Sequence, residues 1–192
     1  MKKITWARAE SRFMEALQRQ AGFLASKAVQ IDFASRRVRN VGMDITWITD
    51  RIGVGGGIWN PENMAEAARM GITHIIDMQI EFDDTALAEP HGIQVLWNAT
   101  DDDFQPKPPE LFERGVEFAT EVLEQADNKL FIHCAAGVHR APMMTLAVLC
   151  SMGWEQASAM ETTSSRRPVV DFADVYVNSV ENFLQQQVRS GD

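Results

Sequence analysis

Short runs of β-branched residues alternate with longer amphipathic runs between residues 45 and 188 of this 192-residue chain. Turn-forming residues separate the short runs, whereas the longer runs carry apolar residues at three- and four-residue spacing. The predicted strands are 45–48, 52–54, 72–77, 93–97 and 129–133, and the predicted helices are 61–70, 109–126, 141–152, 154–162 and 171–188. Because strands that alternate with helices pack as layers around one sheet, we expect an α/β fold with a central mixed, partly parallel sheet flanked by helices.

An additional amphipathic helix is predicted over residues 5–28. Its apolar positions recur at steps of seven and four, at Trp6, Phe13, Leu17 and Leu24. Residues 1–40 carry a net charge of +6, so we expect this helix either to dock on the acidic body of its own domain or to contact an anionic partner, a membrane surface or a second subunit. We divide the chain into a basic N-terminal helical extension (1–44), a main domain (45–187) and a short tail (188–192).

Charge and composition exclude several classes of protein. The net charge is −9 overall and −15 beyond residue 40, which argues against nucleic-acid binding, since that needs a basic surface. The chain has no stretch of about 18 apolar residues, so we expect no transmembrane segment, and its first residues lack the apolar core of a secretory signal. Cys134 and Cys150 are the only cysteines, too few for a disulfide scaffold, so we expect a cytoplasmic location.

The segment from Leu130 to Pro142 predicts an anion-binding loop. A short apolar strand ends at His133, a loop of small residues follows, and Pro142 lies where the first turn of a helix tolerates a missing N–H. Such a strand, loop and helix can turn several backbone N–H groups toward one centre, and Gly137 allows the left-handed backbone conformation that this requires. The positive end of the following helix adds to the attraction for an anion.

Two side chains of this segment carry reactive or charged groups. Cys134 lies at the base of the predicted cradle, where inward N–H groups favour the thiolate, the nucleophilic form of cysteine. Arg140 supplies a planar pair of donors that matches two oxygens of a phosphate group. Because a thiolate held beneath a bound phosphate is aimed at phosphorus, the sequence predicts nucleophilic attack on a phosphoester.

The spacing of His133, Cys134, Gly137 and Arg140 is H-C-x-x-G-x-x-R, which resembles the signature of the cysteine-dependent protein tyrosine phosphatase superfamily. Blocks across residues 45–187 look like those of its dual-specificity phosphatase family. The resemblance implies that Cys134 is the nucleophile, that Arg140 binds phosphate and that His133 supports the loop. It also implies a phosphate-binding loop that consists of Ala135, Ala136, Gly137, Val138, His139 and Arg140.

A run of three aspartates extends the resemblance. In dual-specificity phosphatases a general-acid aspartate lies in a loop upstream of the cysteine and protonates the departing oxygen. Asp102, which lies 32 residues before Cys134, matches this position best, and Asp101 and Asp103 are the alternatives. An acid that works near neutral pH needs a pKa above the ordinary value of about 3.9. Because the neighbouring aspartates and the substrate charge push the pKa of Asp102 upward, we expect an acidic pH optimum.

Two positions depart from the usual pattern of the family. Many members carry Ser or Thr directly after the arginine, where the hydroxyl helps the cysteine sulfur leave in the second step. Here that residue is Ala141, so the resemblance implies a slower breakdown of phosphocysteine. His139 occupies a position where Gly or Ser is common, and its ring could add a donor near the phosphate.

The resemblance implies hydrolysis of phosphate monoesters through a phosphocysteine intermediate, without a metal or another cofactor. The expected partner is a phosphorylated substrate, namely a protein that carries phosphotyrosine, with phosphoserine and phosphothreonine as further candidates. A glucan or small-molecule phosphatase is the alternative within the same class of enzyme. From a different class, the chain would be a phosphate-binding pseudophosphatase that captures a partner without turnover.

Overall fold

The computed structural model describes residues 42–190, and the helix predicted over residues 5–28 lies outside them. Five strands form one sheet in the order β1-β2-β5-β3-β4. Their bounds are β1 (Ile45–Trp47), β2 (Ile52–Gly55), β3 (His74–Asp77), β4 (Gln94–Trp97) and β5 (Leu130–His133). Strand β1 pairs antiparallel with β2, and the other pairs are parallel, so the prediction of a mixed, partly parallel sheet is confirmed.

Strand β5 lies at the centre of the sheet, between β2 and β3. Every residue of β2 and β5 is buried, as is usual for parallel strands that are covered on both faces. Parallel strands end at the same edge of a sheet, so the loops that follow β2, β3, β4 and β5 meet there. This edge therefore brings together the segments after Gly55, Asp77, Trp97 and His133.

Six α-helices surround the sheet within residues 42–190. Their bounds are α1 (Pro61–Arg69), α2 (Thr85–Ala88), α3 (Pro109–Glu124), α4 (Arg140–Ser151), α5 (Gln156–Arg166) and α6 (Asp174–Ser190), and a 3₁₀ helix spans Glu89–His91. Proline at the first helical position helps to begin α1 and α3. The sequence missed α2, which is only one turn long, and α6 begins three residues later than predicted.

The two faces of the sheet are covered by two separate apolar clusters. Ile76 and Ile132 pack with buried residues of α3, α4 and α6, whereas their chain neighbours Ile75 and Phe131 pack with residues of α1 and α2. This division follows from the alternation of side chains along a strand. Helix α4 begins with ten consecutive buried residues, so the end of β5 and the start of α4 are fixed inside the core.

None of the helices within residues 42–190 is long and apolar enough to span a membrane.

Candidate active site

The predicted nucleophile and the predicted phosphate-binding arginine lie at the two buried ends of one loop. Cys134 directly follows β5, and Arg140 is the first residue of α4. Each is only 1% exposed. Burial opposes the charge of the Arg140 guanidinium, but hydrogen bonds to Glu81 and the charge of Cys134 raise its pKa further above the ordinary value.

The backbone of the loop is held by donors that lie outside it. The carbonyls of Ala136 and Gly137 accept hydrogen bonds from the Arg167 guanidinium at 3.2 and 2.9 Å. The other three carbonyls accept from backbone N–H groups: Ala135 from Gly57 (3.3 Å), Val138 from Asp171 (3.0 Å) and His139 from Met143 (2.9 Å). Every carbonyl of residues 135–139 is thus directed toward an outside partner.

The amide groups of the same loop point the other way. The peptide bonds are trans, so each N–H lies opposite the carbonyl of the preceding residue. The N–H groups of residues 136–140 therefore face the inner side of the loop, next to Cys134. Within residues 42–190, none of these N–H groups donates a hydrogen bond to a backbone carbonyl of a turn, a loop or a helix cap. Five inward N–H donors are the arrangement that an anion-binding concavity requires.

Glycine is required at position 137 for two reasons. Its φ is +64°, in the left-handed region that other residues adopt at a cost. A Cβ at this position would also lie 2.5 Å from the backbone of Gly55 and 2.5 Å from the Arg167 guanidinium. Both contacts are too short, so a larger residue would push the loop away from β2.

Arg167 supports the loop from behind. Its side chain is 6% exposed and pairs with the Asp44 carboxylate at 2.7 Å. The same guanidinium binds two carbonyls of the loop. Arg166 is exposed and donates to the carbonyl of Trp47. We therefore assign Arg167 a structural contact with the loop.

The three consecutive glycines 55–57 do not serve as a left-handed turn. None of them has a positive φ. Instead, the N–H of Gly56 binds Asp44 and the N–H of Gly57 binds the carbonyl of Ala135. A Cβ at Gly55 would lie 1.8 Å from the carbonyl oxygen of Asp44. The triplet is thus explained by close backbone approach next to the loop of residues 135–139.

Glu81 holds the guanidinium of Arg140, and nothing in the sequence singled it out. Its two carboxylate oxygens accept from Nη1 and Nη2 of Arg140 at 2.9 and 2.8 Å. The carbonyl of Thr100 accepts a further bond from Nη1 at 3.0 Å. The Nε atom is buried and has no hydrogen-bond partner within residues 42–190. Glu81 therefore fixes the far end of the guanidinium and leaves its Nε edge available for a phosphate oxygen.

Of the three aspartates, Asp102 is the one that faces the loop. Its Oδ2 lies 3.0 Å from Nδ1 of His139 and 4.0 Å from Nε of Arg140. Asp101 is exposed, and Asp103 is exposed and pairs with Lys107. The geometry distinguishes the three candidates that the sequence left open, because Asp102 alone approaches the predicted phosphate-binding groups.

The expected upward shift of the Asp102 pKa is wrong for this structure. Burial raises the pKa of this carboxyl, but the hydrogen bond and charge of His139, the charge of Arg140 and a hydrogen bond from Tyr176 outweigh burial and leave it below the ordinary value. The neighbouring aspartates and the substrate charge are the only influences that the sequence reveals. The fold also places the cationic groups of His139 and Arg140 beside Asp102.

His139 lies between two carboxylates. Its Nδ1 contacts Asp102, and its Nε2 lies 3.3 Å from Oδ2 of Asp171. The hydrogen bond to Asp102 is the main cause of a raised pKa for the imidazole, which favours the imidazolium. The ring also meets Phe104 edge-on at 5.0 Å. In this structure the His139 ring contacts the predicted acid rather than the inner side of the loop.

A fully buried group of ionisable side chains lies behind the loop. Nε2 of His133 is 3.0 Å from Asp84 and 3.8 Å from Asp77. Burial lowers the pKa of His133, but the two carboxylates outweigh burial and raise it above the ordinary value. Burial also raises the pKa of Asp77, to about 7. One ligand atom from each of the three lies within 4.8 Å of the others, so they could supply metal ligands. The closeness of the imidazole to two carboxylates favours opposite charges on these groups, which offsets part of the cost of burying them.

Known proteins resemble this chain in both sequence and fold. The sequence profile "Dual specificity phosphatase, catalytic domain" matches residues 59–186. A "Probable rhodanese domain-containing dual specificity protein phosphatase" of Dictyostelium discoideum is 31% identical over 94 residues, which cover 49% of this chain and 19% of that protein. "Protein phosphatase Slingshot" of Drosophila melanogaster is 23% identical over 131 residues, which cover 67% of this chain and 12% of that protein. The chain thus spans less than a fifth of the length of either relative.

The fold also matches a solved structure of similar size. The structure described as "Crystal Structure of PTPMT1" superposes with a TM-score of 0.66 and 17% sequence identity, and the match covers 77% of this chain and 98% of that one. At this identity the likeness is one of fold.

Proposed function

Because this chain belongs to the dual specificity phosphatase family, we propose that it hydrolyses phosphate monoesters of proteins through a phosphocysteine intermediate on Cys134. The observation that carries the proposal is the loop after β5, in which the carbonyls of residues 135–139 are all bound from outside and the N–H groups of residues 136–140 face inward. The Nε atom of Arg140, which has no hydrogen-bond partner within residues 42–190, adds a cationic donor at the rim of the same loop. Together they suit a tetrahedral dianion above the cysteine sulfur.

In the first step the Cys134 thiolate attacks phosphorus, and the bond from phosphorus to the substrate oxygen breaks. Charge on the three equatorial oxygens is stabilised by the inward N–H groups and by Arg140. Asp102 gives its proton to the departing oxygen, so the leaving group departs as a neutral alcohol or phenol. Asp102 is proposed for this role because it is the aspartate of the triplet that lies near Arg140.

In the second step water attacks the phosphocysteine, and the bond from phosphorus to sulfur breaks. Asp102, now a carboxylate, takes a proton from the water, and the sulfur departs as a thiolate. Ala141 offers no hydroxyl to help this departure. We therefore propose that breakdown of the intermediate is slow compared with its formation when the leaving group is a good one.

The roles of the three aspartates predict an uneven response to substitution. We expect Asp102→Asn to lower kcat for phenyl phosphate by about a hundredfold or more, since the amide cannot donate the proton. Asp101→Asn and Asp103→Asn are matched controls that remove one carboxylate each, and they should retain activity within about threefold because neither faces the loop. Steady-state kinetics with the four proteins provide the test, and an equal loss in all three variants would contradict the assignment.

The same assay, extended to peptides, tests the proposed function. The wild type is expected to release phosphate from a phosphotyrosine peptide and from a fluorogenic aryl phosphate, and the rates for phosphoserine and phosphothreonine peptides then define its preference. Inorganic phosphate that binds to the wild type while no substrate is turned over would support a pseudophosphatase instead. Release from a phosphorylated glucan alone would move the substrate class away from proteins.

A further inference from the structure

The side chain of Tyr176 connects helix α6 to the loop that carries Asp102. Its hydroxyl donates a hydrogen bond to Oδ1 of Asp102 at 3.0 Å and accepts one from the N–H of Phe104 at 3.0 Å. Tyr176 is 2% exposed, and it is the only tyrosine in the chain. This one hydroxyl thus uses both its donor and its acceptor in hydrogen bonds to the loop that carries Asp102.

Other contacts join the same loop to the same helix. The hydroxyl of Ser179 accepts a hydrogen bond from the N–H of Lys107 at 3.0 Å. The ring of Phe104 stacks on the ring of Tyr176, with centroids 5.8 Å apart and planes 15° from parallel. The ammonium of Lys107 lies 5.5 Å above the centre of that tyrosine ring. Residues 102–107 are therefore attached to α6 at several points.

The two oxygens of Asp102 are held from opposite sides. Tyr176 on α6 binds Oδ1, and His139 in the phosphate loop binds Oδ2. A carboxyl gripped at both oxygens cannot rotate without breaking a hydrogen bond. Its position near Nε of Arg140 is thus defined by the fold before any substrate contact.

We propose that Tyr176 is a positioning residue, whose hydroxyl holds Asp102 at the rim of the phosphate loop so that its proton reaches the leaving oxygen. This inference rests on the proposed function, because it assumes that Asp102 is the general acid. Proton transfer needs donor and acceptor within hydrogen-bond reach, and a displacement of about 1 Å can cost a hundredfold in rate. Helix α6, which contributes no atom to the loop itself, thereby becomes part of the catalytic arrangement.

Tyr176→Phe tests the proposal, because it removes the hydroxyl and keeps the ring that stacks on Phe104. Leaving groups differ in their need for an acid, so kcat/KM, which reports formation of the phosphocysteine and not its breakdown, is measured with phenyl phosphate and with the ester of a more acidic phenol. We expect kcat/KM to fall about tenfold or more for phenyl phosphate and less than about threefold for the ester of the acidic phenol. Thr163→Val is the matched control, since it removes a buried hydroxyl that donates to Ala159 within α5, and it should leave both rates unchanged.

A double variant shows whether Tyr176 acts through Asp102. If it does, Tyr176→Phe should cost less than about twofold in kcat/KM when Asp102 is already Asn, because the acid that it positions is gone. Equal losses with both leaving groups, or the full loss repeated in the Asp102→Asn background, would overturn the proposal. So would a Tyr176→Phe protein with wild-type kcat/KM for phenyl phosphate.

His139→Gln separates positioning from charge at the same carboxyl. Asp102 is faced by His139 and Arg140 from the phosphate loop and α4, and by Tyr176 from α6, while Asp171 faces the other nitrogen of His139. Removing the imidazolium should raise the pKa of Asp102, so the alkaline limb of the kcat profile should move to higher pH. Tyr176→Phe should move this limb less, and a larger shift than that of His139→Gln would contradict a positioning role.

These measurements also separate this proposal from the proposed function. If the wild type shows no turnover, or if Asp102→Asn shows no dependence on the leaving group, the proposed function fails and Tyr176 has no acid to position. If both results are as expected and Tyr176→Phe behaves like Thr163→Val, the inference about Tyr176 alone is wrong.

Discussion

Cys134→Ser is expected to lower kcat/KM for aryl phosphates and phosphopeptides by at least about 10⁴-fold. A serine hydroxyl in the same place is a far weaker nucleophile than a thiolate, and the inward N–H groups of the loop cannot compensate for that. The measurement is continuous release of the fluorescent phenol under conditions that give linear wild-type rates. The loss should appear in kcat and not in substrate affinity.

The second cysteine of the chain provides a matched control for this variant. Cys150 lies on helix α4, packs against the core and is partly buried, and burial raises its pKa. Cys150→Ser should therefore change kcat/KM by less than about threefold. Inorganic phosphate should still bind the Cys134→Ser protein, because its N–H groups and Arg140 remain. Substantial turnover by Cys134→Ser, or an equal loss in Cys150→Ser, would contradict the assignment of the nucleophile.

Arg140→Lys is expected to lower kcat/KM by about 10³-fold although the positive charge is kept. The ammonium of lysine cannot present two donors in one plane to the phosphate while it also pairs end-on with Glu81. Glu81 binds both Nη atoms at 2.8 and 2.9 Å. The proposed contact with a phosphate oxygen therefore depends on Nε, which lysine lacks. The measurement compares kcat, KM and the affinity for inorganic phosphate.

Arg166→Lys is the matched control for the arginine variant. Arg166 is exposed, and its guanidinium donates a hydrogen bond to the carbonyl of Trp47, away from the phosphate loop. Its replacement should leave kcat/KM within about twofold of the wild type. If Arg140→Lys retains wild-type affinity for inorganic phosphate and wild-type kcat, the proposed role of the guanidinium is wrong.

Local sequence was sufficient to predict the segment that builds the loop. A short apolar strand, a glycine at position 137, an arginine and a proline two residues after it follow each other within thirteen residues, and the glycine and the proline each have a local conformational reason. The order of strands and helices likewise follows from periodicity, because each element is apolar on the side that it buries. The α/β fold and its mixed sheet were therefore predictable from the chain alone.

Contacts between distant segments were not predictable in the same way. Glu81 is 59 residues from Arg140, and Tyr176 is 74 residues from Asp102, so no local spacing connects them. The same limit explains the error in the pKa of Asp102, whose main cationic neighbour, His139, is 37 residues away. The sequence does contain one sign of the buried ionisable group behind the loop. Asp77 lies at the end of an apolar strand, where an aspartate indicates an ionisable side chain that enters the core.

The most direct test of the account is capture of the intermediate. Wild-type protein is mixed with an excess of an activated aryl phosphate, quenched in denaturant within the first turnovers and digested. Fragment-ion mass spectrometry then identifies the residue that carries the phosphoryl group. Because Ala141 offers no hydroxyl for the second step, we expect a phosphoryl group to accumulate on Cys134 and to be absent from the Cys134→Ser protein. A phosphoryl group on His139, or full turnover with no phosphorylated residue at any quench time, would contradict the proposed mechanism.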